Sequence, residues 1–123
     1  MNKLIICGGR DYNLSDDDLK FLDGIHEDFP VIEVVSGGCA GADKGGERWA
    51  RANGIAVKQF LPDWVAEGKK AGPLRNQEMA EYADGCIAFP GGNGTQDMLK
   101  RAREAGLHVW DLTYNESTQA KEE

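Results

Sequence analysis

Cys86-Ile87-Ala88-Phe89-Pro90-Gly91-Gly92-Asn93-Gly94-Thr95 is a short apolar run that breaks into a glycine loop and then enters a helical pattern. A continuous apolar run of this kind marks a strand buried on both faces, the condition of a parallel sheet. Glycines directly after it let backbone N–H groups approach a ligand that side chains would block. Thr95 is placed to cap the next helix, whose open N–H groups and positive dipole end favour a phosphate or carboxylate. Pro90, Gly91, Gly92, Asn93, Gly94 and Thr95 therefore read as a phosphate cradle.

A lone glycine loop is equally well a tight turn, but the same grammar recurs. Leu4-Ile5-Ile6-Cys7 runs into Gly8-Gly9-Arg10-Asp11-Tyr12, and Val31-Ile32-Glu33-Val34-Val35 runs into Ser36-Gly37-Gly38-Cys39-Ala40-Gly41-Ala42-Asp43. Strand ends that share glycine and polar residues point to one crevice at the carboxyl edge of a parallel sheet, where open α/β folds bind ligands. With the first and fourth strands adjacent, the second and third to one side and the fifth to the other, Gly9-Arg10 and Gly91-Gly92 flank a topological switch point.

The rest of the chain supplies the crossovers. Ser15 with Asp18 forms a capping-box pattern for a helix to Asp28, whose apolar positions Leu19, Leu22, Ile25 and Phe29 fall at roughly helical spacing, and Pro30 stops it. A second helix runs from Asp43 to Asn53, closed by Gly54. A third strand spans Ile55-Phe60, and the β-α-β-α-β order implies right-handed parallel crossovers. Leu61 to Gly72 reads as an irregular stretch and candidate lid carrying Trp64, Lys69 and Lys70. Pro73 suits the first turn of a helix to Tyr82, Thr95 opens a helix to Glu104 closed by Gly106, and Leu107-Trp110 is the last strand. The domain therefore spans residues 1–112, followed by a polar tail over 113–123 that frays from Tyr114.

With 123 residues and 41% hydrophobic content the chain suits one domain, and no apolar run approaches the length of a membrane span. No basic segment followed by a signal-like apolar run opens the chain, so a cytoplasmic setting is expected. Cys7, Cys39 and Cys86 are odd in number and far apart, with only His26 and His108 to assist them, so neither a disulfide framework nor a metal site is expected. No cofactor is called for. The net charge of −7 disfavours broad attraction to nucleic acid, while Arg10 and Arg75 beside the glycine loops supply local cations for phosphate oxygens. Asp43 either caps its helix or accepts hydrogen bonds from a ribose or base, and Trp64 either stacks on a base or covers the core.

Together, Gly8-Gly9-Arg10-Asp11-Tyr12, Ser36-Gly37-Gly38 with Gly41-Ala42-Asp43, Gly68-Lys69-Lys70-Ala71-Gly72-Pro73-Leu74-Arg75-Asn76-Gln77-Glu78-Met79 and Pro90-Gly91-Gly92-Asn93-Gly94-Thr95 resemble the SLOG superfamily, and within it the small YspA-type branch related to the YpsA proteins. The resemblance runs from about Leu4 to Trp110. It implies an α/β fold: a single Rossmann-like domain, an open parallel sheet of about five strands with helices on both faces, binding nucleotides or nucleotide-derived ligands at its carboxyl edge. It also implies a homodimer, an expectation helped by Trp64 and Trp110. Relatives include the LOG phosphoribohydrolases, the DNA-processing protein DprA and molybdenum cofactor carriers, so the ligand class transfers more directly than the reaction.

LOG enzymes pair an Arg-Lys-x-x-Met segment with Pro-Gly-Gly-x-Gly-Thr-x-x-Glu. Arg75 and Met79 match the first, but Asn76 replaces the lysine; Met98 stands where the catalytic glutamate belongs, with Asp97 one position early. One helical position is a rotation of about 100°. The leading reading is a protein that binds a phosphate-bearing nucleotide or derivative as a sensor, carrier or sequestering protein. The alternative is an N-glycosidic hydrolase acting on a nucleoside phosphate or ADP-ribose-like compound, for which Arg75 and a carboxylate among Glu78, Asp97, Asp43 and Asp11 would be the catalytic groups.

Overall fold

Five strands pair in parallel in the order β3-β2-β1-β4-β5 in the computed structural model, which describes residues 2–113. They are β1 (Asn2–Cys7), β2 (Val31–Ser36), β3 (Ala56–Gln59), β4 (Gly85–Ala88) and β5 (His108–Asp111). The first and fourth strands are adjacent as expected, with Ile5 beside Cys86 and Cys7 beside Ala88. The tail expected to fray from Tyr114 lies outside the described residues.

The crossovers are α1 (Asp16–Asp28), α2 (Ala42–Ala52), a short α3 (Trp64–Glu67), α4 (Ala71–Tyr82) and α5 (Asn93–Glu104). Alternation along β1 sorts the core between the two faces of the sheet. Leu4 and Ile6 join Leu22 and Ile25 of α1, Trp49 and Ala50 of α2, and Phe89. Ile5 and Cys7 join Met79 and Ala80 of α4 with Met98 and Leu99 of α5. Cys7 and Cys86 are buried core residues, and all three cysteines are free thiols.

Local sequence explains the starts of the helices. Ser15 accepts from the Asp18 N–H at 3.1 Å, while the Asp18 carboxylate accepts from the Ser15 N–H at 2.9 Å, closing the capping box. Gly45 and Gly46 sit inside α2, where glycine costs roughly 1 kcal/mol against alanine. Added Cβ atoms there would lie 2.8 Å from Leu14 Cγ and 2.7 Å from Ile6 Cγ2, so the glycines allow α2 to pack close on the sheet.

Two expectations change. The stretch from Leu61 to Gly72 is not irregular throughout: Asp63 accepts from the Ala66 N–H at 3.0 Å and caps α3, a 3-10 turn covers Gly68–Lys70, and α4 starts at Ala71. Pro73 still falls in its first turn, where the missing N–H leaves no helical bond unmade. Thr95 does not cap α5. Gly92, at φ −101° and ψ −146°, is the N-cap, the helix begins at Asn93, and Thr95 is buried inside the first turn.

Candidate functional site

A cavity of about 690 Å³ opens where the carboxyl ends of β1, β2 and β4 meet, lined by residues from the three following loops and from α4 and α5. Gly9 joins the loops. Its N–H donates to the Pro90 carbonyl at 2.8 Å, and its carbonyl accepts from the Tyr12 and Ala42 N–H groups, both at 3.2 Å. Gly41, at φ +76°, lies so close beneath that a Cβ there would overlap the carbonyl oxygens of Gly9 and Arg10. Tyr12 stacks on Phe89 at 5.8 Å and donates through its hydroxyl to Asp18 at 2.7 Å, fixing the outer limb of the first loop.

The first turn of α5 forms one wall. Gly92 has no side-chain capping bond, and the first backbone bond of the turn is from Gln96 N–H to the Gly92 carbonyl at 3.1 Å. The N–H groups of Asn93, Gly94 and Thr95 therefore have no helical acceptor. Thr95 is buried, yet its hydroxyl has no protein partner among the described residues; because no fully buried side-chain oxygen there lacks a partner, this hydroxyl opens to the cavity that Thr95 lines. A Cβ at Gly92 would meet nothing within 4 Å, so the space over the turn is clear.

Arg75 forms part of the opposite wall. Its Nη1 donates to the carbonyls of Gly37 at 2.8 Å and Phe60 at 3.2 Å, and its Nε donates to Asn76 Oδ1 at 3.0 Å. Only Nη2 remains for a ligand, so this guanidinium offers one rigidly held nitrogen and no fork of two parallel donors. Asn76 is spent as well: its Nδ2 donates to Asp97 Oδ2 at 2.9 Å and to the Gly94 carbonyl at 3.3 Å. Asp97 also accepts from Arg101 at 2.9 Å; burial works against its charge, but the bonds from Arg101 and Asn76 outweigh it and hold the carboxyl below the usual range. Asp97 is thus a tie between α4 and α5 and does not line the cavity.

Asp43 differs. It is 6% exposed, lines the cavity from the second position of α2, and accepts the Cys39 N–H on Oδ2 at 3.1 Å. Its Oδ1 has no partner among the described residues and, by the same reasoning as for Thr95, reaches the cavity. Burial pushes its carboxyl up to about 6, against the pull of the Cys39 N–H and the Arg75 guanidinium. A Cβ at Gly37 would lie 2.5 Å from Arg75 Nη1 and 2.9 Å from Asp43 Oδ2, so a bare glycine separates the two charged groups.

Beneath this loop lies a buried carboxylate that the sequence reading missed. Glu47 is buried, and its Oε2 accepts from Ser36 Oγ at 2.7 Å and Gln59 Nε2 at 2.9 Å. Ser36 Oγ in turn accepts from the Gly38 N–H at 3.1 Å. Desolvation works against the Glu47 charge, but hydrogen bonds from Ser36 and Gln59 and the nearby Lys44 hold its carboxyl below the usual range. Its spacing of four from Asp43, on the same face of one helix, was the available signal.

Of the residues expected at the site, Gly9, Arg10, Asp11, Gly37, Asp43, Arg75, Asn76, Pro90, Gly91, Gly92, Gly94 and Thr95 line the cavity. Ser36, Gly38, Gly41, Ala42 and Asn93 do not; the first four shape its loops, and the Ala42 N–H is taken by Gly9. Glu78 is exposed and outside it. Trp64 is 54% exposed and packs beside Gly72, away from the cavity. Cys7, Gly8, Tyr12, Cys39, Met79 and Met98 complete the lining; Met79 and Met98 project from helices, where periodicity reads them as core. Among the described residues no group of side chains suits a metal ion, and no helix is long and apolar enough to cross a membrane.

Solved structures share this architecture. TM1055 superposes with a TM-score of 0.70 at 20% identity, covering 89% of this chain and 72% of that one. DNA processing protein A (DprA) from Streptococcus pneumoniae superposes with a TM-score of 0.68 at 18% identity over 89% of this chain, which spans about half, 49%, of DprA. In sequence, the gene 61 protein of Mycobacterium phage D29 is 43% identical over 95 residues, 71% of this chain and 76% of that protein. The family described as YspA, cpYpsA-related SLOG matches residues 2–66. With the sheet order, the glycine loops and these relatives in agreement, the chain belongs to the YspA, cpYpsA-related SLOG family.

Proposed function

We propose that the protein binds a phosphate-bearing nucleotide or nucleotide derivative in this cavity, as a sensor, carrier or sequestering protein. The observation that carries this reading is the first turn of α5: open N–H groups, the free Thr95 hydroxyl and clear space above Gly92 meet at one place. A helix N-terminus with exposed N–H groups stabilises an anion through directed hydrogen bonds and the helix dipole. Arg75 Nη2 and the exposed Arg10 add positive charge at the rim.

A thermal-shift screen of nucleotides, cyclic nucleotides and ADP-ribose derivatives tests it. A ligand at a hundred times its dissociation constant stabilises the fold by about 2.7 kcal/mol, a rise in Tm on the order of 10 °C. Gly92→Val is the control. A Cβ there would meet nothing within 4 Å, so the variant should fold with its unliganded Tm lowered only by the cost of valine at an N-cap, while the ligand-induced rise disappears. A wild-type response in this variant would put the phosphate elsewhere.

Asp43 favours a second reading, N-glycosidic hydrolysis. It is a buried carboxyl with one oxygen facing the cavity, whereas Asp97 is tied to Arg101 and Asn76 and Glu78 lies outside. Release of free base from a hit in the screen selects hydrolysis; an unchanged ligand selects binding alone. Self-association as a dimer belongs to the same proposal, supported by the exposure of Leu61, Trp64 and Val65. Light scattering should give twice the chain mass, and a monomer mass across a wide concentration range would count against it.

A further inference from the structure

Asp43 is more than nine-tenths buried, and its two oxygens face different partners. Oδ2 is occupied by the Cys39 N–H at 3.1 Å, while Oδ1 is turned to the cavity without a protein donor. A residue needed only for that local bond does not have to be charged, since an asparagine oxygen would accept the same N–H. A carboxylate oxygen open to the cavity can only accept, so it calls for a donor on whatever binds there. It also repels a second anion. The positive end of α2 is already faced by the Asp43 charge, so the phosphate is directed to α5, and the group at Asp43 must be a hydroxyl or amine.

We propose that Asp43 is a specificity-determining residue: its Oδ1 accepts a hydrogen bond from a sugar hydroxyl of a ligand whose phosphate sits at the first turn of α5. The minimal ligand is then a polyhydroxylated phosphate of the ribose 5-phosphate kind. This inference rests on the phosphate reading above and adds the polarity of the other end. Burial raises the Asp43 carboxyl, and a hydrogen bond donated to Oδ1 by a ligand would favour its charged form.

Asp43→Asn tests it without emptying the site. The asparagine oxygen takes the Cys39 N–H, and the amide then presents donors where the carboxylate presented an acceptor. Inorganic phosphate and ribose 5-phosphate are titrated by calorimetry at pH 8, where both Asp43 and the phosphate are ionised. The wild type should bind ribose 5-phosphate more tightly than inorganic phosphate. In the variant that affinity should fall about ten- to hundredfold, the effect of a lost charged hydrogen bond, with inorganic phosphate bound as well as before or better. Undiminished ribose 5-phosphate binding by the variant overturns this inference alone. Failure of the wild type to bind either probe overturns the phosphate reading and this inference with it. Unliganded melting curves of both proteins establish that each is folded.

Discussion

Gly41→Ala is expected to unfold most of the protein or leave it melting far below the wild type. Gly41 holds φ +76° and ψ −125°, a conformation that costs a side-chain-bearing residue on the order of 1–3 kcal/mol. The added Cβ would also overlap the Gly9 and Arg10 carbonyl oxygens. Those atoms cannot swing aside as a side chain can, because the Gly9 carbonyl accepts from Tyr12 and Ala42 and its N–H is bonded to Pro90. Strain and loss of these bonds together should exceed roughly 4 kcal/mol, a large part of the 5–15 kcal/mol by which domains are stable. Urea denaturation measures the difference. A midpoint equal to the wild type would show that the first two loops are not packed as described.

Asp43→Asn should do the reverse and stabilise the unliganded protein at neutral pH. The carboxyl titrates near 3.8 when free and about 6 in the fold, where burial dominates over the Cys39 N–H, Arg75 and Lys44 and is reinforced by the Glu47 charge. Between those values the folded state holds a proton that the unfolded state has released. Stability is therefore fully present below about pH 4 and falls as pH rises through 6, by up to roughly 3 kcal/mol for this group. Asparagine removes the titration. The variant should match the wild type near pH 4, exceed it by up to roughly 3 kcal/mol at pH 7, and show a flatter profile between. Denaturation at a series of pH values reads this directly; parallel profiles for the two proteins would place the Asp43 carboxylate in water. A position where the native residue lowers stability is the pattern of a site shaped for binding.

The strand order and helix faces were legible because they follow from patterns that need no tertiary knowledge. β1 alternates Leu4 and Ile6 against Ile5 and Cys7, and the loops after β1, β2 and β4 carry glycine where backbone must approach backbone. Ser15 with Asp18 marks a helix start by local chemistry. The errors fall where competing local signals are settled at a distance. Thr95 is an ordinary cap candidate, but Gly91 packs over it and the helix start falls earlier, at Gly92. α3 was hidden in a stretch rich in exposed residues, with only Asp63 to announce it.

The site divides in the same way. That glycines and Arg75 line one cavity could be anticipated from their places in sequence, the glycines in the loops after the strands and Arg75 in α4. The division of labour among carboxylates could not. Asp97, Asp43 and Glu47 are alike in sequence, but Arg101 and Asn76 occupy the first, a lone Cys39 N–H leaves the second half open, and Ser36 and Gln59 enclose the third. Only the fold decides which acid faces the cavity.

Gly9, bonded through its N–H to Pro90 and through its carbonyl to Ala42, bears on how quickly the proposed ligand would come and go. Because this one residue clamps the loops after β1, β2 and β4, none can swing out without breaking hydrogen bonds to the others. The cavity mouth is therefore set before a ligand arrives. Little chain entropy would be lost on capture of the proposed ligand. In the proposed binding role, entry and exit would then follow diffusion and the strength of the contacts, with no rearrangement of these three loops.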